Sequence, residues 1–391
     1  MRVVGFEPMM CDLGWRTITF LKITTDEGLV GWSECSEGFG SPGLTGVVSA
    51  LGPLVLGKDP LAVEAVTFPL ASMTQPAHGS LTRQAIAAVE NALLDVKGKA
   101  LGLPVSSLLG GAVRDRIPVY WSHCGTYRVG ERVQSLGLEP LRTFDDVVAL
   151  GKLVAERGFR GLKTNPLGLD DPEIRSRPYS FARGLYADRE WDNRTIRESE
   201  KVLAAFREGA GEDMDIYLDT NFRFDTQGYL RIEQAVRPYG LAWLELDMHD
   251  PEAVALVRKR AQTPIGSGEA VYERKGYRPF FEAQAFDVAI VDVVWNGYLE
   301  SLKIAALAES FSVPVAPHNF YGHLASAISA HFSAAVPNLH VMEIDIDGAS
   351  WRDELTTPPV FEDGRYVLPT GPGWGVEVNE EAIRAHAPKA S

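Results

Sequence analysis

Cysteine is scarce in this chain. Cys11, Cys35 and Cys124 are the only three, an odd number with no paired spacing. That excludes a disulfide framework and a CxxC-type zinc site, and it fits a reducing compartment. Long apolar runs are missing too. The start has one early basic residue, Arg2, and no apolar run before Asp12, so it does not read as a secretory signal. The weakly polar stretch from Gly43 to Gly57 contains glycines and Pro53 and is too short to span a bilayer. The expectation is a soluble, cytoplasmic protein with no membrane partner. Positive charge is in deficit: 38 Lys and Arg face 52 Asp and Glu, for a net charge of −14. Nucleic acid is therefore disfavoured as a partner. An anionic small molecule is not, because a bound cation inverts the local field. There is no GxGxxG after the first strand, no low-complexity segment and no tandem repeat. The missing glycine motif removes the support a doubly wound dinucleotide-binding sheet would need.

What is present is ordinary globular material, 45% hydrophobic and 23% charged over 391 residues. That length suits one large or two unequal domains. Near the start, Thr17–Thr24 alternates and is rich in β-branched residues, Asp26-Glu27-Gly28 supplies a turn, and Leu29–Trp32 returns. Ahead of this pair, Pro8 is expected to begin an irregular loop running through Gly14. From Thr82 to Ala100 the period becomes helical, with Ile86, Val89, Leu93, Val96 and Ala100 on one stripe. Gly110-Gly111 closes this block, which reads as a small domain over residues 1–115.

From Ile117 short apolar strands alternate with amphipathic helices. Ile117–Trp121, Phe159–Lys163, Met214–Asp219, Leu241–Glu245, Pro264–Ser267, Phe286–Val293, Val313–Ala316 and Val341–Ile344 are the candidate strands, and Asp146–Arg157 and Leu299–Phe311 are among the intervening helices. Strict alternation favours a parallel sheet, and this many units fit an α/β fold of the (β/α)8 barrel type. The tail from Leu355, with Pro358, Pro359, Gly371, Pro372 and Gly373, reads as irregular chain returning across the small domain.

Active sites of such barrels lie at the carboxyl ends of the strands. The polar residues there are Ser122, Lys163, Asp219, Glu245, Glu269, Asp292, His318 and Glu343. From Asp219 onward each follows the last by roughly 25 residues, the length of one βα unit, so all return to one ring. A single carboxylate at a strand end is usually solvated or caps the next helix. Three on consecutive strands converge, and their mutual repulsion calls for a cation. Oxygen-only ligands favour magnesium over zinc.

The same residues carry a specific resemblance. Leu162-Lys163-Thr164-Asn165 resembles the Lys-x-Lys strand of the mandelate racemase subgroup of the enolase superfamily. Leu218-Asp219-Thr220-Asn221, Trp243-Leu244-Glu245 and Gly268-Glu269 resemble its three metal-ligand motifs. Asp292 with Pro317-His318 is similar to its Asp–His dyad, and Met342-Glu343 to its final-strand acid. Leu94–Gly102 and Leu108–Gly111 resemble its capping-domain helix and exit. The resemblance implies a modified TIM barrel over residues 116–359 and an α+β capping domain over 1–115, completed by the tail 360–391. It also implies one Mg2+ held by Asp219, Glu245 and Glu269 with Asn221 close by, and His318 as base, oriented by Asp292. Lys163 would add positive charge, and Glu343, if protonated, would hydrogen-bond the substrate carboxylate.

Asn165 departs from the pattern: the family's second Lys belongs there, and an amide relays no proton at neutral pH. Racemisation by two bases loses a partner, whereas β-elimination of water by one base survives. The expectation is dehydration of a sugar acid, an aldonate or aldarate, to a 2-keto-3-deoxy acid. The alternatives are a racemase or epimerase of a 2-hydroxy acid, with Lys163 or Tyr272 as the second base, and a non-catalytic acid-sugar-binding relative.

Substrate contacts are expected from Asn165, Asn221, Ser122, His123 and Trp15. His249 is a spare acid. The stretch 167–197 holds Arg175, Arg177, Arg183, Arg189, Arg194 and Arg197, one of which would clamp a distal carboxylate, although neighbouring acids balance their charge. The family's dimers and octamers imply a homo-oligomer.

Overall fold

The computed structural model describes residues 1–37, 40–77, 79–130, 132–170 and 193–388. Three strands open the chain as an antiparallel meander: β1 (Val3–Asp12), β2 (Thr17–Thr25) and β3 (Val30–Glu37). The Asp26–Gly28 turn falls between β2 and β3 as the sequence implies. The loop expected from Pro8 does not exist. β1 runs through Pro8, which pairs in register with Leu21. β1 is an edge strand, where a proline's missing N–H removes no ladder bond.

Helices Leu44–Val55, Val63–Met73 and Ser80–Leu101 follow. The last lies against β3 so closely that a Cβ on Gly31 would stand 2.3 Å from the Ala92 carbonyl oxygen. Only glycine permits that approach.

The second region is a ring of parallel strands: β4 (Arg116–Ser122), β5 (Gly161–Thr164), β6 (Asp215–Asp219), β7 (Trp243–Glu245), β8 (Ile265–Ser267), β9 (Val288–Asp292), β10 (Val315–His318) and β11 (Met342–Asp345). Each pairs with the next in sequence from β4 to β10, and β11 pairs back onto β4. That is barrel order, with the crossovers made by helices whose caps are written locally. Thr143 and Asp146 form a capping box on Phe144–Glu156, and Asp225 and Asp250 cap Thr226–Val236 and Pro251–Arg260.

The barrel interior is plugged by Tyr120, Tyr217, Trp243, Val288, Ile290, Ala316 and Val341. Tyr217 and Trp243 have ring centroids 4.0 Å apart. Gly161 and Gly266 leave room for them, since a Cβ there would meet Tyr120 at 2.9 Å and Trp243 at 2.8 Å. Large against small is how a barrel interior fills, and it turns the far end of the barrel into a floor on which polar residues stand.

The tail touches both regions. β12 (Phe361–Glu362) and β13 (Arg365–Val367) form a hairpin, and β13 pairs antiparallel with the start of β4. Further on, Trp374 N donates to Asp95 of the Ser80–Leu101 helix at 3.0 Å, and Asp12 N donates to the His386 carbonyl at 2.8 Å. Among the described residues no helix is long and apolar enough to cross a membrane. Of the six arginines in 167–197, Arg175, Arg177, Arg183 and Arg189 lie outside the described residues, while Arg194 and Arg197 belong to helix Asn193–Ala210.

Candidate active site

The eight polar positions read from the strand ends meet at one mouth. Ser122, Asp219, Glu245, Asp292 and His318 are the last residues of β4, β6, β7, β9 and β10. Lys163 and Glu343 lie within β5 and β11, and Glu269 follows β8. All are buried.

Lys163 Nζ stands among three of the acids, 2.9 Å from Glu343, 3.0 Å from Glu245 and 3.6 Å from Asp219. Burial would lower its pKa, but Glu245, Glu343 and Asp219 hold it well above the ordinary lysine value. It is a fixed cation. Glu245 also accepts from Trp243 Nε1 at 2.9 Å.

Glu343 is held as an acceptor. It accepts from Ser122 Oγ and, at 2.9 Å, from Asn319 N. Burial alone would raise its pKa, but Lys163, His318, His123 and the Ser122 hydrogen bond outweigh that and hold it below the usual carboxylate range. These neighbours favour its ionised form, whereas the role the resemblance implied, a hydrogen bond to the substrate carboxylate, needs a protonated Glu343.

His318 Nδ1 pairs with Asp292 Oδ2 at 2.6 Å, and its Nε2 lies 3.4 Å from Glu269. Asp292 is itself fixed, by Trp295 N at 2.7 Å and by the Tyr321 hydroxyl. Burial alone would lower the His318 pKa; Glu269 foremost, then Asp292 and Glu343, carry it to about 10. The ring also packs against Phe320 at 4.7 Å and Trp295 at 5.4 Å.

The sequence reading missed Asp247. It lies two residues beyond Glu245, is buried, and its Oδ2 has no hydrogen-bond partner. Burial, then Asp219 and Glu245, push its pKa well up. Glu269 is raised likewise, by burial and then by Asp247, Asp219 and Glu245, while Glu245 is carried to about 7 by burial, Asp219 and Glu343 against Lys163. The signal was available: Asp247 shares the strand end of a residue already chosen.

This donor set fits a hard divalent cation. It consists of buried carboxylates that raise one another's pKa, with one carboxylate oxygen left over. As the side chains stand, Lys163 sits among them, and no three His, Cys, Asp or Glu of the described residues are already gathered around a metal-sized point.

The residues expected to contact substrate also have partners within the protein. Asn165 accepts from Thr126 Oγ1 at 2.8 Å and donates to the Asp219 carbonyl at 2.9 Å, so its amide braces the end of β6. Ser122 is spent on Glu343. His123, at φ +48°, pairs with Asp345 at 3.0 Å and stacks on Tyr127. Asn221, at φ +46°, donates its N–H to Asp219 Oδ1 at 2.8 Å. Trp15 packs on Tyr127 at 4.9 Å, and Tyr127 donates to Asp345 of β11, which seats the β1–β2 loop beside the mouth. Tyr272 accepts from Gln84, and burial pushes its phenol up. His249 lies against Phe222, 5.2 Å between ring centroids.

Comparison with known proteins agrees with this construction. Residues 146–382 match the enolase C-terminal domain-like family, and residues 9–110 match the mandelate racemase/muconate lactonizing enzyme N-terminal domain. A D-xylonate dehydratase of Haloferax volcanii is 29% identical over 94% of this chain and 84% of its own length. A D-galactonate dehydratase of Pectobacterium atrosepticum is 30% identical over 93% of this chain and 89% of its own. A crystal structure from Burkholderia xenovorans, provisionally named an L-alanine-DL-glutamate epimerase and bound to magnesium and fumarate, superposes with a TM-score of 0.93. It is 44% identical, over 99% of this chain and 96% of that one. With both halves matched in order and the barrel acids assembled at one mouth, the chain belongs to the mandelate racemase subgroup of the enolase superfamily.

Proposed function

We propose that the protein is a magnesium-dependent sugar-acid dehydratase that takes the α-proton on His318 and expels the β-hydroxide, giving a 2-keto-3-deoxy acid. The observation that carries this reading is the pairing of one buried Asp292–His318 dyad with a lysine locked as a cation. That is one group able to move a proton, not two.

Asp219, Glu245 and Glu269 would hold the metal, which when bound supplies positive charge for the substrate carboxylate and the enediolate derived from it. The other roles belong to the chain. His318 Nε2 accepts the α-proton, and Asp292 fixes the tautomer through Nδ1 and stabilises the imidazolium that results. The electron pair left on the α-carbon forms the α–β double bond as the β-carbon–oxygen bond breaks. The departing hydroxide takes the proton from His318 and leaves as water, and the enol tautomerises to the keto acid. Lys163 stays charged throughout and offsets negative charge on the carboxylate end.

Glu269 is the largest upward influence on the imidazole pKa. Engaging that carboxylate with a cation would bring His318 down toward the range in which it works as a base.

The dehydratase relatives support this reading, and the magnesium and fumarate bound to the Burkholderia protein are in keeping with a carboxylate substrate and a divalent cation. The provisional name of that structure favours a second reading, epimerisation. It needs a second base, and neither the ion-paired Lys163 nor the raised Tyr272 phenol suits that role.

The test is a panel of aldonic and aldaric acids with magnesium in heavy water. Formation of 2-keto acid is expected. Solvent deuterium at the α-carbon with inversion there and without loss of water across the panel would favour the epimerase instead.

A further inference from the structure

Arg16 lies in the loop between β1 and β2, beside Trp15, and is 7% exposed. Its guanidinium is stacked on aromatic faces, 4.4 Å from the Phe320 centroid, 4.8 Å from Trp15 and 5.3 Å from Tyr321. Its Nε and Nη1 are buried and have no hydrogen-bond partner. Ring faces offset part of the cost of removing a guanidinium from water, but they accept no directional N–H bond.

The nearby carboxylate is not its partner. Glu34 feels the Arg16 charge, yet its two oxygens accept from Gly322 N at 2.6 Å and Ala325 N at 3.1 Å, where they serve the start of helix His323–Ala335. Phe320 packs against both Arg16 and the base, with its ring 4.7 Å from that of His318. Arg16 therefore carries unused donors one aromatic ring away from the base.

On the sugar-acid reading above, we propose that Arg16 receives the second, distal carboxylate of a dicarboxylic sugar acid, which makes the substrate class aldarate rather than aldonate. A planar guanidinium presents two parallel N–H groups that match a carboxylate. The terminal hydroxymethyl of an aldonate offers one neutral oxygen and leaves the buried charge uncompensated. Lys163 at one end and Arg16 at the other would then measure the length of the substrate as well as its charge.

The experiment compares pairs that differ only at the far carbon, galactarate with galactonate and glucarate with gluconate. They are titrated calorimetrically into magnesium-loaded protein carrying His318→Asn to stop turnover. In at least one pair the aldarate is expected to bind roughly tenfold tighter or more. Arg16→Gln should abolish that preference and leave aldonate affinity within about twofold, and Arg16→Lys, which keeps the charge but not the fork, should fall between.

Equal or weaker aldarate binding in every pair overturns the proposal. So does an Arg16→Gln variant that weakens both acids alike, since that would make Arg16 a brace between loop and barrel. The wild-type preference is readable even if Arg16→Gln does not fold. Binding needs no chemistry, so failure of the dehydratase reading would appear separately, as a retained aldarate preference without keto-acid product.

Discussion

Two regions of this molecule bury carboxylates, and they treat them in opposite ways. At the seam between the N-terminal block, the barrel and the tail, each has dedicated donors. Asp95 accepts from Trp32 N at 2.8 Å, Trp374 N at 3.0 Å and Lys99 Nζ at 2.7 Å. Glu34 takes the Gly322 and Ala325 N–H groups, and Glu90 takes Leu299 N. Burial raises Asp95 and Glu34, and every other influence on them pulls down. At the mouth, Asp247 and Glu269 are raised by burial and raised again by other carboxylates. The seam is electrostatically closed. The mouth carries negative charge that its own residues do not settle, and charge left open in a buried place is where a ligand binds.

The contrast can be broken most sharply at His318. His318→Asn should lower turnover by roughly a thousandfold or more and abolish α-proton exchange in heavy water, with magnesium affinity by calorimetry little changed. Exchange at the normal rate would mean that another base does the work. Next in size is the closed region. Asp95→Ala strands two buried N–H groups and Lys99 at once, and urea unfolding should show a loss of about 3 kcal/mol. A loss near zero would mean that the seam's bonds are incidental.

The open region should respond with the other sign. Asp247→Asn removes repulsion, so under exhaustive chelation the variant should gain about 1 kcal/mol and melt higher than wild type. With magnesium bound the gain should vanish or reverse. A chelated variant that melts lower would contradict the crowding described at the mouth.

The smallest effect belongs to the seam's histidine, His331, which accepts from Ser106 N and lies 3.1 Å from the Trp374 carbonyl. Burial brings its pKa to about 4. The unfolded chain keeps a value near 6.5, so between the two it binds the proton that the native state refuses. Stability is full above the unfolded value and falls as pH drops toward 4, by roughly 1 kcal/mol at pH 5.5. His331→Gln should flatten the change in urea midpoint between pH 7 and 5.5. His323, also lowered to about 4 by burial, shares the effect, so the slope should shrink rather than disappear.

The barrel was legible because a parallel strand repeats. Its apolar run, its terminal polar residue and the following helix recur at one spacing, and Asp219 through Glu343 fell into place on that basis. Pro8 misled because proline breaks only strands whose N–H is needed, and nothing local announces an edge. Asn165 looked free to meet a ligand because its partners, Thr126 and the Asp219 carbonyl, are far along the chain. The ionisation of Glu343 is governed by Lys163, His318, His123 and Ser122, which lie on separate parts of the chain and meet only in the fold. Arg16 was passed over because an arginine beside a tryptophan is unremarkable until its guanidinium is seen to be buried.

The bond from Trp374 to Asp95 also has a meaning in time. Asp95 is made before the barrel strands, on a helix that must be buried, whereas Trp374 and the His386 carbonyl that receives Asp12 N are made after them. Domains form largely in the order of synthesis, and contacts this distant in sequence are slow to close. The barrel strands are therefore complete before the N-terminal sheet and helix obtain their final donors. For that interval the nascent chain carries a finished ring of barrel strands beside an N-terminal block whose partners in the tail, the helix Glu380–Ala385 among them, are still to come.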